Sequence, residues 1–208
     1  MKSKSRYDVS GISEGQFQPG SRGKVLRNKL GITSKAEMDR VEALALEKSF
    51  DGFLHSFDKS RRFTVADICE MHRAWLGEIY EWAGQYRTVN MSKGDFPFAG
   101  AGQIPRLMEE FERDVLRRHT PCAFADRERV LESLAEVHTE LVLIHPFREG
   151  NGRLARVVTS LMALQSGHRI AFESIRGQRK NDYFACVQVG LKRNYKAMET
   201  LFDELLKK

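Results

Sequence analysis

Between Ile144 and Arg156 the sequence reads IHPFREGNGRLAR, and several kinds of chemistry crowd into that stretch. Pro146 cannot continue a helix and disfavours helical geometry at the residue before it, so His145 is expected at a sharp helix exit. Gly150 and Gly152 can take positive φ and let a bound group come close to the backbone. A helix restarting near Gly152 would aim its first free N–H groups, and the positive end of its dipole, back into the loop. That is an anion site. Arg153 and Arg156 lie three residues apart on one helical face and can reach the same anion. Two arginines and a helix start together imply a di- or triphosphate.

The other side chains take roles around such a ligand. Glu149 is a hard oxygen ligand suited to Mg²⁺ beside phosphates. Asn151 can donate to a phosphate oxygen without adding charge. His145 is the only group here that titrates near neutrality, which makes it the natural general base for an incoming hydroxyl. Phe147 is expected to point inward as the anchor of the loop. The set predicts nucleotidyl or phosphoryl transfer, catalysed by positioning and electrostatics. Each residue alone would be an ordinary turn or cap, and only their concentration within a dozen positions decides.

Other chemistries find no support in the sequence. There is no GxxxxGK[ST] loop, no GxGxxG after a strand, no HExxH and no GxSxG. HTE at 138–140 and PC at 121–122 resemble fragments of zinc deaminases, but the order is reversed and position 125 is Ala rather than Cys. His55, His72, His119 and His168 are scattered and read as ordinary surface or core residues. Cys69 and Cys186 sit on helical faces as packing residues.

The elements that must hold the loop are mostly helical. Ser34 with Glu37 makes a capping box ahead of MDRVEALALEKSF, and a second helix starts near Thr64 with Ile68, Met71, Trp75, Ile79 and Tyr80 on one side. YRTVNMSKGDFPFAGAG, at 86–102, has the composition of a short hairpin or extended flap. Helices resume near Pro105 and again over 126–144, where Val130, Leu134, Val137, Leu141 and Ile144 form a buried stripe bordered by His138 and His145. After the glycines, Leu154, Val157, Val158, Leu161 and Leu164 mark another buried helix, stopped by Gly167. Helical patterns over about 181–192 and 194–206 finish the chain. The expectation is one all-α domain over 18–208 with a small β flap, preceded by a flexible arm over 1–17.

Composition narrows the setting. Charged residues make up 30% of the 208 and hydrophobic ones 41%, as in an ordinary globular protein. The net charge of +6 is spread among interleaved acids, so it reads as a solvated surface and not as a nucleic-acid footprint. No apolar run approaches the roughly 18 residues of a membrane span, and the basic N-terminus has no apolar block behind it. Three cysteines at wide spacings predict reduced thiols and a cytoplasmic setting.

HPFREGNGRLAR resembles the signature of the Fic family, with His145, Phe147, Glu149, Gly150, Asn151, Gly152, Arg153 and Arg156 filling every defining position. WAGQYRTVNMSKGDFPFA is similar to that family's flap region, and VLRNKLGI to the start of many Fic cores. The resemblance implies a Fic-type helical bundle with a β-hairpin flap. It further implies transfer of AMP from ATP to a Tyr, Thr or Ser hydroxyl of a target protein. On that reading His145 deprotonates the target and Glu149 holds Mg²⁺ between the α- and β-phosphates. Asn151 and the backbone of Gly150 and Gly152 serve the α-phosphate and the departing pyrophosphate, Arg153 the β-phosphate and Arg156 the γ-phosphate. The flap (Met91, Ser92, Lys93, Gly94, Asp95 and Phe96, on to Phe98) would clamp the target by adding a strand. Tyr183 lies where the family often lines its adenine pocket. Family members are commonly inhibited by a helix bearing [Ser/Thr]-x-x-x-Glu-[Gly/Asn], whose Glu pairs with the second motif Arg. SGISEG at 10–15 matches it through Ser10 and Glu14, but Gly11 makes it a poor helix, so restraint in trans by a small antitoxin is the favoured expectation. The rivals are the same fold using UMP or phosphocholine, removing AMP or acting as a kinase, and a non-catalytic Fic-fold binding module.

Overall fold

The computed structural model describes residues 13–207. Its axis is helix α5 (Arg127–Ile144), capped by the Asp126 side chain, which accepts from the Glu128 N–H. Of its 18 residues, 13 are buried, including Ser133, His138 and Thr139, so the helix is covered nearly all round and carries more than the stripe its periodicity predicted. It packs against α6 (Asn151–Gln165) and α8 (Lys196–Leu205), with α7 (Gln178–Val189) and α3 (Ile104–Glu110) beside it. Leu134, Val137, Leu154, Val158, Leu161 and Phe202 are at the centre of the apolar core.

The other elements form a second layer on α6. Helix α1 (Lys35–His55) starts where Ser34 accepts from the Glu37 N–H. Helix α2 (Val65–Leu76) starts at a full capping box, Thr64 with Asp67, and buries Ile68, Met71, Trp75 and Leu76. Strands β1 (Ser92–Lys93) and β2 (Phe96–Pro97) pair antiparallel, Ser92 opposite Pro97 and Lys93 opposite Phe96, around a turn with Gly94 at φ +57°. That is the expected flap. Helix α3 runs through a π-helical turn, Phe111–Leu116, into α4 (Arg117–His119). Gly167, at φ +78°, ends the chain's path from α6 as anticipated.

Two features depart from expectation. β3 (Arg169–Ile170) pairs with β4 (Leu206–Lys207), a contact too short to leave any period in the sequence. And the part of the arm that is described does not stand free: Ser13–Gly15 forms a 3₁₀ turn with Glu14 and Gly15 buried. Ser10 lies outside the described residues.

One buried cation joins the layers. Arg87 is 1% exposed, and among the described residues its guanidinium has no carboxylate bonded to it. Nε donates to the His145 carbonyl at 2.7 Å, Nη1 to Val89 O at 2.6 Å, and Nη2 to Ala99 O at 2.6 Å and Ile144 O at 3.4 Å. Its backbone N–H donates to Pro146 O at 2.8 Å. Carbonyls at the C-terminal end of a helix have no partner in that helix, so Arg87 caps α5 and ties it to both ends of the flap. Burial pushes its pKa down to about 10, opposed by the charge of Glu14. Arg87→Met keeps an unbranched apolar stem and removes all five donors, stranding those carbonyls. It should cost about 3 kcal/mol, the scale of losing charge-assisted hydrogen bonds to buried acceptors. Urea unfolding of the two chains measures this, and equal midpoints would show that the carbonyls find other partners.

Candidate functional site

The exit from α5 is as sharp as Pro146 requires. His145 is the C-cap and takes left-handed backbone angles, φ +52° and ψ +57°, which a non-glycine residue adopts only at a cost of roughly 1 kcal/mol or more. Six residues later α6 begins at Asn151, with Gly150 as its N-cap at φ +82°. Gly150 has no substitute: a Cβ there would lie 2.6 Å from the Trp75 ring. Gly152, by contrast, is helical, and a Cβ on it would stand in open space at the cleft wall. The positive φ expected of both glycines is needed only at the first.

Asn151 has a different task from the one expected. Its side chain is 3% exposed and closes the loop on itself, Oδ1 accepting from Phe147 N at 2.8 Å and Nδ2 donating to Phe147 O at 2.7 Å. The amide is thus a brace, because a turn this tight leaves the Phe147 backbone groups buried without other partners. Phe147 is fully buried, the inward anchor that was expected. Its ring stacks on His72 at 4.0 Å. His72 accepts from Gly84 N at Nδ1 (2.8 Å) and donates from Nε2 to the Glu149 carbonyl (3.1 Å), so the network assigns one neutral tautomer. It is a core histidine, as expected, and it also holds the fourth carbonyl of the loop, after those of His145, Pro146 and Phe147.

The network assigns the His145 tautomer too. Nδ1 lies 3.1 Å from Val142 O and must donate to it, leaving Nε2 as the free acceptor. The ring stacks on Phe98 of the flap at 3.6 Å. Burial pushes its pKa down to about 4, with the charges of Arg87 and Lys93 acting the same way. At neutral pH this imidazole is uncharged and able to take a proton.

These residues line a cleft of about 660 Å³. Lys93 reaches across from the flap to Phe184 on α7, its Nζ 2.9 Å from the ring centroid, and so roofs the cleft. Lys93, Arg148, Arg153, Arg156 and Lys180 face it with Glu149 as their carboxylate counterpart, so an anion entering meets a strongly positive wall. Burial lowers the pKa of Arg156, and among the described residues no carboxylate bonds to it. Arg153 is bonded by Nη2 to Glu42 Oε2 at 2.6 Å and lies 3.4 Å from Glu149 Oε1.

Tyr183 lines the cleft with its ring while its hydroxyl points away, 2.8 Å from His138 Nε2. Thr159 donates to Ala155 O and therefore accepts from His138 Nδ1, so Nε2 accepts from Tyr183. Glu14 does not meet Arg156. Its Oε1 accepts both the N–H and the hydroxyl of Thr88, and its carbonyl accepts from Arg148 Nε at 2.9 Å. The arm is drawn to the flap base, not to α6, so the Glu14–Arg156 pair, the less favoured of the two expectations, is not formed.

Glu149 was expected to hold Mg²⁺. Its carboxylate is half-exposed; Oε1 accepts from Gly150 N at 2.8 Å, and among the described residues Oε2 is not engaged. Among the described residues no group of three or more His, Cys, Asp or Glu could cage a metal. A single hard carboxylate beside a phosphate-sized basic pocket suits a Mg²⁺ held mostly by substrate phosphates and water.

Residues 62–163 match the Fic/DOC family, and that stretch is a Fic/DOC domain. It is 32% identical to the protein adenylyltransferase VbhT of Bartonella schoenbuchensis over 155 residues, 74% of this chain and 32% of that one. It is 27% identical to the probable protein adenylyltransferase y4lH of Sinorhizobium fredii, over 84% of this chain and 86% of that one. The chain therefore spans about a third of VbhT's length. Its fold matches a crystal structure of the BepC protein of Bartonella tribocorum with bound AMPPNP, at a TM-score of 0.75 and 22% identity, over 94% of this chain and 98% of that one. No helix among the described residues is long and apolar enough to cross a membrane.

Burial holds three histidines neutral, with pKa values near 4 for His72 and His145 and near 3 for His138. Each lies below the ordinary value of about 6.5, so the unfolded chain binds the extra protons and stability falls as pH drops through that interval. Stability should be level above about pH 6.5 and decline by several kcal/mol between about pH 6.5 and 4. Denaturant unfolding across that range tests it, with His138→Asn reducing the slope. A level profile would mean that the imidazoles are charged in the fold.

Proposed function

We propose that the chain is a protein adenylyltransferase that moves AMP from ATP to a Tyr, Thr or Ser hydroxyl of a separate protein. The observation that carries this reading is the uncharged His145 Nε2, an unoccupied proton acceptor at the lip of a glycine-turned helix start bearing two arginines. The target hydroxyl gives its proton to Nε2 while its oxygen bonds to the α-phosphorus, and the bond from that phosphorus to the bridging oxygen breaks, releasing pyrophosphate. The backbone N–H groups at the start of α6 meet the α-phosphate oxygens, where charge is concentrated in the transition state. Arg153 meets the β-phosphate and Arg156 the γ-phosphate. Mg²⁺ on Glu149, when bound, would offset phosphate charge. Asn151 contributes through its N–H and by bracing the turn. The Tyr183 ring and Phe184 supply an apolar wall for the base. The flap edge, Met91 to Phe98, docks an extended target segment beside His145.

Relatives support this reading: VbhT and y4lH are named as protein adenylyltransferases, and BepC was crystallised with AMPPNP. The three cysteines are all unpaired, in keeping with work in the cytoplasm. The freedom of Arg156 from carboxylates supports restraint, where it operates, by a small partner protein of antitoxin type, since Glu14 is committed to Thr88.

Transfer of label from α-labelled ATP with Mg²⁺ to proteins of a bacterial lysate tests the proposal, with γ-labelled ATP as control. Label from the α position should appear with wild type and fall by at least about a hundredfold in His145→Ala, the scale of a general base. Label from the γ position alone would mean phosphoryl transfer instead. Glu14→Gly should leave the isolated chain no more active than wild type. A large rise would return Glu14 to the inhibitory role that its sequence context suggests.

A further inference from the structure

We infer that Glu42, on α1 and more than a hundred residues from the loop, is the positioning residue that aims Arg153 at the second phosphate and keeps it off Glu149. This rests on the nucleotide reading above. Glu42 is 3% exposed and, with Met38, one of the two fully buried residues of α1. A buried carboxylate is retained only where its oxygens are satisfied, and here both are. Oε2 accepts from Arg153 Nη2 at 2.6 Å and Oε1 from the Tyr80 hydroxyl at 2.6 Å. The Glu42 carbonyl accepts from Trp75 Nε1 at 2.9 Å, and the same indole lies under the Arg153 guanidinium at 4.6 Å and against Gly150. Helix α1 thus fixes the arginine, the platform beneath it and, through that platform, the turn.

The division of Arg153's donors gives the function. Nη2 lies between two carboxylates but unequally, 2.6 Å from Glu42 and 3.4 Å from Glu149. Nη1 and Nε have no bonded partner among the described residues, so the planar fork is held at one corner and open at the others. Without Glu42 the nearest anion for Arg153 is Glu149, four residues back in the loop that precedes α6 and already 3.4 Å away. Arg153 would then neutralise the oxygen ligand proposed for the cation and turn away from the phosphate.

Two effects of removing Glu42 oppose each other, which makes the test decisive. Loss of a negative charge near the cleft strengthens every anion, whereas release of Arg153 weakens only a ligand that reaches it. AMP lacks the β-phosphate and ADP has it, so the preference for ADP over AMP isolates the second effect. Binding of each nucleotide would be measured by calorimetry in metal-free buffer containing a chelator, for wild type, Glu42→Gln, Arg153→Ala and the double variant. The ADP preference of Glu42→Gln should fall by about tenfold, the scale of one charge-assisted hydrogen bond. Glu42→Gln should add nothing further in the Arg153→Ala background, where no unpaired charge is left buried. Tyr80→Phe keeps the carboxylate's charge and removes its second tether. It should lower the preference in the same direction, by less, and it stands as the test if Glu42→Gln does not fold. A preference unchanged or raised in the Glu42 and Tyr80 variants would make Glu42 a mere counterion and overturn the inference. Wild type binding neither nucleotide would instead overturn the nucleotide reading, a result distinct from tight wild-type binding that ignores Glu42.

Discussion

The carbonyl groups released where α5 ends need partners, and the protein answers with one buried guanidinium. Arg87 bonds the carbonyls of Ile144 and His145 on the helix side and those of Val89 and Ala99 on the flap side. An unpaired buried carbonyl costs on the order of 1–3 kcal/mol, so these four acceptors and their donor stabilise one arrangement over its neighbours by several times the thermal energy. The consequence is geometric. His145 can adopt a strained left-handed backbone only because its carbonyl is fixed from outside the turn, and the flap is fixed to the same group. The His145 imidazole and the strand edge beside it are therefore set by one side chain.

A second restraint comes from the aromatic platform beneath the turn. Trp75 excludes any side chain at position 150 and stacks under Arg153, while His72, on the same helix one turn earlier, holds the Glu149 carbonyl and stacks on Phe147. Helix α2 thus contacts the loop at three residues without contributing a group to the cleft. Rigid support from a helix positions a site more exactly than the loop's own bonds can. The charge balance follows the same logic: the basic residues are brought together where few carboxylates oppose them, and that repulsion is tolerated because the core beneath is well packed.

Much of this was legible in the sequence, and what was not has a common cause. The helix starts at Ser34 and Thr64, the apolar stripes of α5 and α6, the stop at Gly167 and the flap are local signals, decided within four or five residues, and they appear where they were expected. The capping box expected at Ser34 and Glu37, however, forms only its Ser34 half, and the full box is at Thr64 and Asp67. The loop chemistry was legible for the same reason, since eight of its determinants fall in twelve positions. The roles of Arg87, Glu42, His72 and Glu14 escape a local reading because most of their partners lie between 12 and more than 100 residues away. In YRTV, Arg87 has the same local pattern as any surface base, and Glu42 sits in a helix whose neighbours are mostly exposed. For Glu14 a six-residue match only raises the possibility of an inhibitory pair, which Gly11 argues against, whereas the position of the arm is decided by Thr88 and Arg148, which no local pattern reveals. Asn151 shows the subtler failure: its type suits a phosphate donor, but the tightness of the turn consumes it.

The flap is the least anchored part of the site, and its chemistry is consistent with that. Its strands are two residues each, with a glycine turn and exposed outer side chains, far short of what stabilises an isolated hairpin. What holds it are contacts at its base, through Arg87 and the bond from Ala99 N to Leu143 O, and two at its inner surface, Phe98 on His145 and Lys93 on Phe184. The inner contacts involve the same imidazole that a target hydroxyl would have to reach under the proposed function. A segment that adds to the flap edge and one that displaces Phe98 from His145 would be the same segment, because both surfaces face the mouth of the cleft. Strand addition would give affinity through main-chain hydrogen bonds that are indifferent to side chains, leaving selectivity to whatever fits between the flap and α7. A rigid base fixed to the helical core and a lightly held edge beside it is the division of labour such recognition needs. The first keeps the acceptor in place, and the second accommodates an incoming chain without disturbing it.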